Sequence, residues 1–199
     1  PQNFNSPYKA TSIQDFWRRW HMTLSRFLRD YIYIPLGGNR KGKLRTYFNN
    51  MAVFLIGGFW HGAGWTFIMW GFLHGAAQIV QRIWGEFFRP MPRWLAWVIT
   101  FLFINVTWVF FRAESFDQAL RLLKGMAGLN GVALGHVKSL WFPILLIAIF
   151  LPIVLFTRNS SEREHDFRPG WKTGLAMAAM FVISLFFMNR ISEFLYFNF

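Results

Sequence analysis

Three stretches of this chain are apolar for longer than a domain in water tolerates: Trp94–Phe111, Leu140–Phe156 and Gly174–Met188. A helix needs roughly 20 largely apolar residues to cross a bilayer, and each run approaches that length, the third being the shortest. Composition agrees. Charged residues make up 15% of the chain, against roughly 25% in ordinary soluble domains, and 25 Phe and 11 Trp exceed what a soluble core of this size absorbs. The expected fold is all-α: a polytopic helical membrane protein with about three C-terminal transmembrane helices.

The formal net charge of +12 would suggest nucleic acid on a soluble protein. Here the basic residues sit mainly in connections between apolar runs, where they face lipid headgroups and bias topology. A nucleic-acid partner is therefore not expected. Without cysteine, the chain has no disulfides, no thiolate chemistry and no Cys-based metal site.

Read along its length, the chain opens on a polar loop, "PQNFNSPYKA", with neither an initiator Met nor a signal peptide. It reads as the C-terminal portion of a longer protein. "TSIQDFWRRWHMTLSRFLRDYIYIPLGG" then reads as one amphipathic helix. Ser12 with Asp15, or Thr11 with Gln14, has capping-box spacing, and Pro35, Gly37 and Gly38 end it. Trp17, Trp20, Leu24, Phe27, Leu28 and Tyr31 recur at helical spacing with His21 on their side, while Arg18, Arg19, Arg26 and Arg29 gather opposite. A basic loop, "NRKGKLRTYFNN", follows and is expected to be cytoplasmic. Met51–Trp60 is a short apolar segment and Trp65–Trp84 a longer helix, in which Gly71 and Gly75 have the spacing that lets membrane helices pack closely. Ser115 is placed to cap a short amphipathic helix to Gly125, and Asn130–Lys138 is a Gly-rich loop. "TRNSSEREHDFRPGWK" separates the last two spans, and the aromatic tail "ISEFLYFNF" is interfacial.

Within this frame, "GGFWHGAGWTFIMWG" places His61 inside an apolar run between glycines. An imidazole in hydrocarbon costs free energy unless partnered. Either it bonds a carbonyl freed by the glycine break, or it lines a cavity in which neutral imidazole transfers protons. His74, four residues after Trp70, is read as a helix–helix hydrogen bond or a ligand contact. His21 is read as an interfacial or a site histidine. His136 and His165 lie in loops and read as solvated. Neither the His21–His61 nor the His61–His74 spacing matches a compact metal-ligand pair, so no metal is expected. No nucleophile elbow, Walker loop or dinucleotide fingerprint is present.

The residues "NFNSPYKATSIQDFWRRWHMTLSRFLRDYIYIPLGGNRKGKLRTYFNN", followed by "GGFWHGAGWTFIMWGFLHG", resemble the membrane-bound O-acyltransferase superfamily. The resemblance is to its bacterial branch that contains the alginate O-acetylation protein and the teichoic acid D-alanyl transferase, the alginate type above all. It is strongest from Asn3 to Gly75 and general beyond. Members carry further membrane helices before this region, so the resemblance implies a catalytic-core segment over 1–88, C-terminal transmembrane helices over 89–199, and an N-terminal set of helices outside the sequence.

What the resemblance implies about chemistry is an O-acyl transfer. His61, in the W-H-G motif, carries over as the catalytic base. His21, in the F-W-R-R-W-H motif, carries over as its orienting or polarising partner. Trp17, Trp20, Arg18, Arg19, Trp60 and His74 are candidate substrate contacts. No bound cofactor is implied. The acyl donor, acetyl-CoA or an acylated carrier protein, is a cytoplasmic co-substrate. The acceptor is a hydroxyl on an extracytoplasmic polysaccharide or on its carrier, and a periplasmic SGNH-type acyltransferase is an expected partner. The expected location is the bacterial inner membrane, multi-pass. The competing reading is a non-catalytic membrane component of a polysaccharide export or modification complex. A transporter is disfavoured because the spans hold few carboxylates for ion coupling.

Overall fold

The computed structural model describes residues 2–131, 140–164 and 167–188. His136, His165 and the aromatic tail lie outside the described residues. The described residues are helical and contain no strand: α1 (Ile13–Arg19), α2 (Met22–Leu28), α3 (Lys43–His61), α4 (Trp65–Phe87), α5 (Arg93–Arg112), α6 (Phe116–Met126), α7 (Trp141–Phe156), α8 (Ser160–Glu164) and α9 (Trp171–Phe187). The chain divides into a unit of residues 1–159 and a unit of residues 160–199.

The first unit is organised around an antiparallel hairpin of α3 and α4, joined only by Gly62–Gly64. Its seam is made of backbone approaching backbone. A Cβ added at Gly58 would collide with the Phe67 carbonyl, and one at Gly71 with the Phe54 carbonyl. One at Gly75 would lie 2.8 Å from the Met51 sulfur. The small-residue spacing expected at Gly71 and Gly75 is therefore used, and its partner is α3. An exposed Lys43–Glu86 ion pair of 2.7 Å joins the far ends of the hairpin.

Helix α5 packs along α4. Two buried clusters fix it: Trp70 with Val109, Phe110, Ala113 and Ala119 of α6 on one side, and Ala10, Ile13 and Phe16 with Ile104 on the other. Its polar residues do not compromise its apolar character, because Thr100, Asn105 and Thr107 bond back to the carbonyls of Ala96, Phe101 and Ile104. Among the described residues α5 is the one helix long and apolar enough to cross a membrane. The other two expected spans are shorter apolar helices, α7 and α9, the latter with Lys172 at its start. Helix α7 exposes nearly every large side chain, a surface that suits contact with lipid. Its end is tied to the N-terminal loop: Lys9 Nζ donates to the Thr157 carbonyl at 2.6 Å, and Asn159 Nδ2 to Asn5 Oδ1 at 2.8 Å.

Two expectations are corrected. The long amphipathic helix is broken at Trp20–His21, where His21 takes a left-handed conformation (φ 44, ψ 53). The N-terminal loop lies across the break and takes up its backbone groups: Asn5 N–H bonds the Arg19 carbonyl, and Met22 N–H the Asn3 carbonyl, both at 2.9 Å. After α2 the chain passes through a single π-helical turn, Arg29–Tyr33. The four arginines accordingly do not form one face. The basic loop is also shorter than expected, since α3 begins at Lys43. Asn49, fully buried on α3, holds the loop by donating to the Gly38 carbonyl at 2.8 Å.

Candidate active site

His61 ends α3 and is buried in an aromatic box. Its ring meets Trp60, Trp70 and Phe111 edge-on, with centroids at 4.9, 5.3 and 5.0 Å. The box forms because α3 stops at the glycine connection, which turns the chain so that Trp70 on α4 and Phe111 on α5 close on the last turn of α3. Its Nδ1 is buried without a hydrogen-bond partner, as is Trp70 Nε1. Each such group forgoes about 1–3 kcal/mol. Two orphaned polar atoms on touching rings make this a candidate site.

His74, one turn beyond Trp70, is fully buried, with its ring 4.7 Å from the Trp70 ring. Trp17 Nε1–H donates to its Nδ1 at 3.1 Å. An accepting Nδ1 must carry a lone pair, so this imidazole is neutral with its proton on Nε2. That Nε2–H is itself buried and unpartnered. His21 lies close enough that a charge on it is felt at His61, although the two are far apart in sequence. Burial lowers the His21 pKa from its ordinary value, which keeps the ring neutral near pH 7.

The other candidates separate. Trp17 belongs to the site, through His74 and through edge-on contact with Trp70 at 5.8 Å. Trp60 walls His61 but is largely exposed on its other side. Trp20 packs between Phe16, Phe4 and Trp108, a structural position. Arg19 bonds Asp15 at 2.7 Å and the Asn5 carbonyl, and Arg18 is exposed; neither is brought to the histidines. Sequence reasoning did not single out Phe111, or Trp70 as a site residue. One aromatic among many in an apolar helix carries no local signal.

Beyond Trp17 lies a cavity of about 200 Å³ whose walls include Ser25, Arg29, Tyr33, Asn50, Gln78 and Arg82. Asn50 Nδ2 and Arg82 Nε are buried there without partners. Arg82 also borders a second cavity reaching Asn39 and Lys43 in the basic segment. Among the described residues no three His, Asp or Glu side chains are placed to share a metal ion.

Comparison with known proteins gives these residues a context. The family model described as "MBOAT, membrane-bound O-acyltransferase family" matches residues 1–116, which contain His21, His61 and His74. The chain is 49% identical to the peptidoglycan O-acetyltransferase of Helicobacter pylori, over 100% of this chain and 43% of that protein. It is 45% identical to the probable alginate O-acetylase AlgI of Azotobacter vinelandii, over 75% of this chain and 30% of that protein. The teichoic acid D-alanyltransferase of Bacillus subtilis is 33% identical over 59% of the chain. The chain thus spans less than half the length of these curated relatives. With its glycine-seamed hairpin, its boxed histidine and a family match over more than half its length, the chain belongs to the membrane-bound O-acyltransferase family.

Proposed function

We propose that this chain carries the catalytic core of a multi-pass inner-membrane enzyme that transfers an acetyl group from a cytoplasmic thioester to hydroxyls of an extracytoplasmic glycan. The observation that carries the reading is His61: a buried imidazole, boxed by three aromatic rings, with Nδ1 unpartnered and a second histidine within electrostatic reach.

The chemistry follows from the groups present. A sugar hydroxyl is a weak nucleophile at neutral pH. Neutral His61 takes its proton as the oxygen attacks the thioester carbonyl, a contribution typically worth about 10²–10⁴-fold. The thiolate then leaves as the new ester forms, and the proton returns from His61 to the sulfur. No acyl-enzyme is needed. The unpartnered Trp70 indole N–H is a donor available to the developing oxyanion, and such donors are worth about 10²–10³-fold. His21 orients the reacting hydroxyl. Arg82, lining the neighbouring cavity with its Nε unpartnered, supplies positive charge suited to the anionic carrier of the acyl group, whether coenzyme A or an acylated carrier protein, while Arg29 beside it is paired with Asp30 at 2.7 Å. A periplasmic SGNH-type acyltransferase is the partner expected to receive or pass on the group.

The test uses membranes containing the intact protein that carries this sequence. They are given acetyl-CoA labelled in the acetyl group together with the host's own cell-wall or secreted glycan. Label in an alkali-labile ester on the glycan is the expected result. Label released only as free acetate, or none transferred, would reject the reading in favour of a non-catalytic component.

A further inference from the structure

His21 has a backbone conformation that non-glycine residues rarely adopt. Such a residue persists only where its surroundings over-determine it, and these cases concentrate at functional sites. Here the N-terminal loop is the determinant, through its backbone bonds to Arg19 and Met22 and through one side chain, that of Asn3. Asn3 Oδ1 lies 3.2 Å from His21 Nδ1, 3.1 Å from the Thr23 backbone nitrogen and 2.8 Å from Thr23 Oγ1.

These three distances fix protons. The Thr23 amide can only donate, so the Asn3 atom it meets is the carbonyl oxygen; a flipped carboxamide would set two N–H groups against each other. That oxygen can only accept, and the Thr23 hydroxyl, 3.5 Å from His21 Nδ1, already gives its single hydrogen to Asn3 at 2.8 Å, so neither neighbour donates to the ring. His21 Nδ1 must therefore carry a hydrogen, and in the neutral ring the lone pair is on Nε2. The Asn3 main chain holds the same junction, since its carbonyl accepts from Met22 N–H at 2.9 Å.

We propose that Asn3 is a positioning residue for His21: it locks the imidazole as the Nδ1–H tautomer and so presents Nε2 as a hydrogen-bond acceptor. This deepens the acyl-transfer reading and rests on it for its catalytic meaning. It also divides the labour between the two histidines. In its neutral form His21 has no free N–H with which to polarise a carbonyl. It accepts, either from the acceptor hydroxyl, aligning it for His61, or from His61 itself. The environment is consistent with a neutral ring. Among the described residues, His61 is in electrostatic contact with His21. Arg19, two positions away, is turned to Asp15 and the Asn5 carbonyl, and Phe4 covers the imidazole with ring centroids 6.2 Å apart.

The test pairs Asn3→Ala and Asn3→Asp in the intact protein. Asn3→Ala removes all three contacts of Asn3 Oδ1; the loss of the one to His21 Nδ1 releases the tautomer ratio by roughly 2- to 10-fold, so kcat should fall by at least about 2-fold with little change in KM. Asn3→Asp keeps the acceptor oxygen but adds a negative charge that favours the imidazolium. It should regain near-native kcat at high pH, with the acidic limb of the pH–rate profile moved up by about 1 unit. A uniform loss at every pH in both variants, or no change in either, would overturn the proposal. The 15N spectrum of His-labelled protein reads the tautomer without any acyl transfer. A pyridine-type nitrogen at His21 Nε2, lost in Asn3→Ala, is expected; the opposite tautomer in the native protein would refute the assignment even if the enzyme proved active. An Nδ1–H tautomer in a protein that transfers no acyl group would instead reject only the acyl-transfer reading.

Discussion

Gly71→Ala tests whether the α3–α4 seam sets the geometry of the site. The added methyl would meet the Phe54 carbonyl and its carbon, which are backbone and cannot turn aside. The helices must part by on the order of 1 Å to restore ordinary contact, and a gap of that size forfeits roughly a quarter to a half of the dispersion attraction across it. Overpacking of this kind costs about 1–3 kcal/mol, and a backbone collision belongs at the upper end. Gly→Ala in a helix interior returns up to about 1 kcal/mol of propensity, leaving a net loss near 2 kcal/mol. Function should suffer more than stability. His61 is on α3 and Trp70 on α4, with ring centroids 5.3 Å apart, and a misplacement of about 1 Å can cost on the order of 10²-fold in rate. Gly85→Ala is the matched control, on the same helix with nothing within 4 Å of the added carbon. Thermal unfolding in detergent and acyl transfer in membranes should both show Gly71→Ala impaired and Gly85→Ala at or slightly above native stability. Equal behaviour of the two variants would refute the packing argument.

Trp17→Phe keeps the ring but removes the N–H that His74 Nδ1 accepts at 3.1 Å; leaving that nitrogen buried and unpaired should cost about 1–3 kcal/mol, read as a fall in Tm that Trp20→Phe does not reproduce. Ser115 caps α6 by accepting from Gln118 N–H at 3.2 Å, while Gln118 Oε1 accepts from Glu114 N–H at 2.7 Å; Ser115→Ala should destabilise by about 1 kcal/mol, and Ser115→Gly by less. Because burial lowers the His21 pKa below its ordinary value of 6.5, the unfolded chain binds this proton more readily than the folded one. Stability should therefore be flat above about pH 7.5 and fall as pH drops through 6.5, and the fall should be smaller in His21→Gln; an identical pH dependence of Tm in both proteins would remove His21 as the cause.

The helical class was legible because long apolar runs leave few alternatives. The Ser12 and Ser115 caps and the glycine seam were legible because each is a local rule with one physical solution. The break at His21 was not. Helical spacing of Trp17, Trp20 and Leu24 continues across it, and what interrupts the helix is a distant segment, Asn3–Asn5, that supplies hydrogen bonds from outside. Nor was the start of α3 at Lys43, because a basic stretch reads as solvated until Asn49 is seen holding the loop beneath it. At the site, His61, His21, His74 and Trp17 stood out by residue type and motif. Their environment did not: Trp70 and Phe111 become walls only when α4 and α5 fold against the end of α3. Arg18, Arg19 and Trp20 share the motif of His21, yet the broken helix sends them to an exposed position, an ion pair and a packed cluster.

The most direct measurement is acetyl transfer to glycan by His61→Ala and His61→Gln, in membranes matched for protein level and for Tm. The account predicts a loss of at least about 10²-fold in both, with donor KM little changed, because the base acts in the chemical step. Transfer within about twofold of native in either variant would contradict it, and would leave His61 as a ring that fills its box and does nothing more.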